Sequence, residues 1–159
     1  MFEVESYQGS REDNYNLVIK QAKALLEGES NVIANLSNAS ALLNQFLDQI
    51  NWVGFYLMED GELVLGPFQG LPACVRIPLG RGVCGASAKQ QKTLRVEDVH
   101  QFPGHIACDA ASLSEIVIPL LKNGELIGVL DIDSPIKNRF DELDQKKLEE
   151  FVEAILPFI

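Results

Sequence analysis

An α+β fold, with helices on one face of an antiparallel sheet, is predicted by three observations: helical apolar periodicity at both ends of the chain, about six strand-like runs between them, and two strong hairpin signals within those runs. The length of 159 residues suits one domain over residues 1–159 with a single sizeable core. In "YNLVIKQAKALL", Tyr15 to Leu26, the residues Leu17, Val18, Ala22, Leu25 and Leu26 recur at helical spacing, and Gly28 supplies a stop. A second helix is expected from Val32 to Leu47, with Ile33, Leu36, Leu43, Phe46 and Leu47 on its apolar side. The period then changes. "NWVGFYLM" and "ELVLGPF" flank Glu59-Asp60-Gly61-Glu62, and "SEIVIPLL" and "ELIGVLDID" flank Asn123-Gly124, both hairpin signatures. "CVRIPL" and "TLRVED" add two further strands. "GVCGASAKQQ" reads as a short helix after Gly80 and Gly82, and "DELDQKKLEEFVEAIL" as an amphipathic closing helix behind an acidic first turn.

Composition narrows the function. Hydrophobic residues make up 47% and charged residues 23%, the balance of a folded globular chain. A net charge of −10 repels phosphate backbones and anionic membrane surfaces, so no nucleic-acid or membrane partner is expected. "MFEVESYQGS" lacks the basic and apolar regions of a secretory signal, and no apolar run is long enough to span a bilayer, which points to the cytoplasm. Three cysteines is an odd, widely spaced set. In a reducing compartment they rest as thiols, and any disulfide is transient.

The thiols and acids are the candidate chemistry. Cys74, Cys84 and Cys108 contain no CxxC pair, so even with His100 and His105 nearby no metal site is expected. Buried, inert thiols are the alternative. On electrostatics alone Cys84, at a helix start, has the lowered pKa of a nucleophile, whereas Asp109 raises that of Cys108. Asp131 and Asp133, two residues apart in "LDIDSP", project from one sheet face. With Glu115 they crowd three carboxylates, one of which is then a proton donor, although a solvated strand end explains the pair equally well. Trp52 and Tyr56 share a strand face, as core or as the wall of a pocket. In "NRFDE", Asp141 reads as a helix cap and Arg139 as a partner for a carboxylate.

Together, "NWVGFYL", "LGPFQG", "ACVRIPLGRGVCG", "SEIVIPL" and "GVLDIDSP" resemble the free methionine-(R)-sulfoxide reductases, enzymes of the GAF fold. The resemblance covers essentially the whole chain, and "NRFDE" is similar to a motif of cyclic-nucleotide-binding GAF domains, with Arg139 in place of lysine. It implies a sheet with the terminal helices on one face and a ligand pocket on the other. It also implies that Cys108, not Cys84, is the nucleophile, that Cys74 or alternatively Cys84 resolves its sulfenic acid, and that Glu115, Asp131, Asp133, Trp52 and Tyr56 bind substrate. By the same resemblance either Asp133 or Glu115 supplies the proton. No cofactor is implied beyond an external thiol reductant, thioredoxin, and the assembly implied is a homodimer. The rival reading is a non-catalytic GAF module that binds a small ligand or senses oxidants. It is disfavoured here because the chain ends at "EAILPFI" without a signalling-helix extension.

Overall fold

The computed structural model describes residues 2–3, 6–105 and 110–159; Cys108 lies outside them. Helix α1 spans Arg11–Leu26, starting earlier than its apolar stripe because Ser10 caps it, its hydroxyl accepting from Asp13 N at 3.1 Å. The buried face is Tyr15, Val18, Ala22 and Leu26, with Leu17 only half-buried. Helix α2, Val32–Phe46, is capped by Asn31 and buries Leu36, Ala39, Leu42 and Leu43. Ile33, expected on that face, is instead 57% exposed. The reason is Asn35, which donates to the carbonyls of Glu29 at 2.9 Å and Phe158 at 2.8 Å. It lies about 200° round the helix from Ile33, so burying one exposes the other.

The six expected strands form one antiparallel sheet: β1 (Trp52–Glu59), β2 (Glu62–Gly70), β3 (Arg76–Pro78), β4 (Leu94–Val96), β5 (Ser114–Lys122) and β6 (Glu125–Ser134), in the order β3-β2-β1-β6-β5-β4. Asp60 and Gly61, at φ +50° and +84°, close the first hairpin, and Asn123 and Gly124, at +54° and +80°, close the β5–β6 hairpin. Two consecutive positive φ angles make the turn whose twist matches the flanking strands. Cys74 lies outside β3, in the segment that joins it to β2.

Strand alternation divides the molecule. Val53, Phe55, Ile116, Ile118, Leu120, Leu130 and Ile132 face α1, α2 and the C-terminal helix α4 (Glu142–Ile155) in the main core. Fully burying each such side chain contributes about 1.5–3 kcal/mol. Trp52, Tyr56, Val117 and Val129 face the other way, against α3 (Gly82–Gln90). α4 begins with a reciprocal capping box: Asp141 accepts from Asp144 N, and the Asp144 side chain accepts from Asp141 N. Among the described residues no helix is long and apolar enough to cross a membrane.

A buried carboxylate and thiol cleft

The sheet register brings the acids together. Asp133 pairs with Trp52 of β1 on one side and with Glu115 of β5 on the other, while Asp131 lies opposite Gly54 and Val117. Glu115 and Asp133 are therefore direct cross-strand neighbours, and residues so placed have Cβ atoms about 4.5–5.5 Å apart. Glu115 and Asp131 are 6% and 5% exposed, and Asp133 is half-buried. Burial, followed by the charges of Asp131 and Asp133, holds the Glu115 pKa well above the usual carboxylate range. Burial also raises Asp131, but bonding to Glu115 and to Cys84 and the nearby His105 offset part of that rise. Burial and like charge thus favour the neutral form of Glu115 more strongly than that of Asp131.

Cys84 enters from α3, three residues after Arg81, the N-cap, and lies 3.9 Å from Glu115 Oε2. The depressed pKa expected from its helix position is not found. Burial first, then Asp131, Glu115 and Asp133, push the thiol well above its ordinary value. Desolvation and three acids outweigh one helix terminus. Cys84 is a protonated, free thiol, whereas Cys74 is disulfide-bonded.

The aromatic pair does line the cleft. Trp52 and Tyr56 stack with ring centroids 5.9 Å apart, and Phe68 stacks on Trp52 at 5.1 Å. Each also holds the strand connection above it. Trp52 Nε1 donates to Leu71 O at 3.1 Å, and the Tyr56 hydroxyl donates to Cys74 O at 2.9 Å. Burial and the neighbouring acids keep Tyr56 a neutral phenol.

The resulting cleft is walled by Trp52, Tyr56, Ile77 and Val83, with Cys84, Glu115, Asp131 and Asp133 on its polar side. Arg81, His105 and Ser112 complete it. Arg81 and Ser112 carry no sequence pattern, and His105 enters the sequence reading only as a weak metal candidate. Burial and the nearby His100 lower the His105 pKa, so its imidazole is neutral. Arg139 and Asp141 are elsewhere, on the helical side: Arg139 pairs with Asp48 at 3.0 Å and with Asp144 at 3.3 Å, and Asp141 pairs with Arg11 at 2.8 Å.

An apolar wall, two buried carboxyls and an adjacent half-buried one suit a small ligand with an ammonium group, and the protonated acid is placed to donate a hydrogen to it. The GAF domain family matches residues 20–156. Protein YtsP of Bacillus subtilis is 60% identical over 98% of this chain and 96% of that protein. The free methionine-R-sulfoxide reductase of Escherichia coli is 58% identical over 81% of this chain and 78% of its own. A structure of fRMsr of Staphylococcus aureus in complex with substrate is 56% identical and superposes with a TM-score of 0.87, covering 96% of this chain and 98% of that one.

Proposed function

Because this chain belongs to the GAF domain family, in the branch of the free methionine-R-sulfoxide reductases, we propose that it reduces free methionine-R-sulfoxide to methionine by thiol chemistry in the cleft. The observation that carries this reading is the clustering of Glu115, Asp131 and Asp133 beneath the Trp52–Tyr56 wall, where burial favours the neutral form of Glu115. Asp131 and Asp133 receive the substrate ammonium group, and the aromatic faces receive its S-methyl end. A peptide-bonded methionine has no such charge to place there, so it gains nothing from the carboxylates that the free amino acid engages.

Glu115 protonates the sulfoxide oxygen as the Cys108 thiolate attacks the sulfur, since an unprotonated oxide leaves poorly. The oxygen ends on Cys108 as a sulfenic acid, and methionine leaves with its sulfur reduced by two electrons. The Cys74 thiol then attacks the sulfenic sulfur, a disulfide forms and water departs. An external dithiol such as thioredoxin reduces that disulfide. Two findings favour Cys74 over Cys84 as the resolving thiol: Cys74 forms a disulfide, and Cys84 is buried and held protonated, a poor nucleophile.

The test is turnover of free methionine-R-sulfoxide, its S epimer and a peptide-bound form, with dithiothreitol as reductant. The wild type is expected to consume only the free R epimer and Cys108→Ser none. A Cys108→Ser protein as active as the wild type would remove Cys108 from the mechanism. An inactive wild type under full reduction would overturn the reductase reading.

A further inference from the structure

We propose that the cleft also takes one zinc ion, held by the Cys84 thiolate, Glu115 and Asp131 with His105 as fourth donor, and that zinc and the amino-acid substrate exclude one another. Cys84, Glu115 and Asp131 are all buried, and one donor atom from each lies within 4.8 Å of the others. Two further observations point to a missing ligand. Among the described residues Asp131, 95% buried, leaves Oδ1 without a hydrogen-bond partner, and His105 of the same cleft leaves a buried Nδ1 without one. Buried polar atoms in folded proteins are rarely left so.

The donor chemistry selects the metal. Magnesium and calcium take oxygen ligands, whereas one sulfur, one imidazole nitrogen and two carboxylate oxygens suit zinc. Tetrahedral zinc with bonds of about 2.0–2.3 Å sets its donors about 3.3–3.8 Å apart, so the group of three must contract by roughly 1 Å, and His105, in the cleft wall outside that group, must turn further inward to become the fourth donor. A dication also relieves the like-charge crowding that keeps these groups protonated, and it binds by displacing their protons. The donors come from α3, β5, β6 and the loop before β5. For that reason no close ligand pair marks the site in the sequence, and the expectation of no metal follows from spacing that this site does not use. Zinc held there occupies the acids proposed for the substrate ammonium group, so the exclusion rests on the proposed function while the binding does not.

The experiment uses a Cys74→Ser/Cys108→Ser protein, in which Cys84 is the sole thiol and the substrate cannot be turned over. Cobalt(II) is titrated in and read by its thiolate charge-transfer absorption, then displaced with zinc. One equivalent is expected to saturate the band, and adding Cys84→Ser to abolish it. Loss of outer partners alone weakens metal sites about 10–100-fold, so Asp131→Asn is expected to weaken cobalt at least about tenfold. Free methionine-R-sulfoxide is expected to displace the metal. No thiolate band, or one that survives Cys84→Ser, overturns the site; a band indifferent to saturating substrate overturns the exclusion. The two readings fail separately: a missing cobalt band leaves the reductase reading standing, and loss of wild-type turnover would leave the cobalt spectrum untouched.

Discussion

Glu115 faces Asp133 across the strand pair, next to Asp131, so a neutral Glu115 keeps three crowded acids from carrying three charges. The same neutral form has a stability consequence whose sign is fixed. The folded pKa of Glu115 is raised, so above the ordinary glutamate value of about 4.3 the unfolded chain has released a proton that the folded one still holds. Stability from this residue is then lost progressively as pH rises, until the folded carboxyl itself ionises. Glu115→Gln, neutral at every pH and similar in shape, is expected to match the wild type near pH 4 and to be more stable at neutral and alkaline pH. Urea unfolding of both proteins across that range measures the difference. The same substitution removes the proposed proton donor, so turnover is expected to fall about 10²–10⁴-fold. A variant less stable than wild type at neutral pH would contradict a protonated Glu115.

Helix α3 depends on one close approach. A Cβ at Gly85 would lie 2.5 Å from Pro78 O and 3.2 Å from Gly80 N, all backbone, which no side-chain rotation relieves. The Gly85 carbonyl also accepts from Gly80 N at 2.7 Å, tying the helix to the turn after β3. Gly85→Ala is expected to destabilise the protein by about 1–3 kcal/mol and, by displacing Cys84 and Val83, to raise KM more than it lowers kcat. Thermal unfolding and steady-state kinetics check the two parts. This docking was not legible in the sequence, because a glycine in a helical run reads only as weak propensity. The strands were legible, since period-2 alternation and the Asp60-Gly61 and Asn123-Gly124 turns are local signals. The shared face of Asp131 and Asp133 was legible for the same reason. What the sequence could not show depends on distant partners: Ile33 is turned out by a bond from Asn35 to Phe158, and the Cys84 thiol is governed by burial and by acids from β5 and β6 rather than by its own helix.

Across the whole molecule, Asp144 ties the helical layer together. It is almost wholly buried, accepts from the Tyr15 hydroxyl at 2.5 Å, and pairs with Arg11 at 3.1 Å and Arg139 at 3.3 Å. Arg139 continues to Asp48, after α2, so α1, the α2 exit, the β6 exit and α4 meet at one carboxylate. Breaking a buried pair by removing one partner leaves charge uncompensated, so Asp144→Ala is expected to lower the unfolding free energy by about 3–5 kcal/mol. Turnover per folded molecule should not change, because Asp144 lies on the sheet face opposite the cleft. Chemical denaturation with activity measured below the transition separates the two.

That division of faces bears on how the protein can be altered. One side of the sheet is an apolar core bound to three helices; the other bears Cys84 and the clustered acids. Damage by oxidants, or redesign of the pocket for a differently shaped sulfoxide, falls on a layer from which the cooperative folding unit is screened by a sheet one residue thick. The molecule is accordingly suited to have its chemistry rewritten at a cost confined to the smaller apolar cluster on the cleft side, with the larger one beneath the helices left as it is.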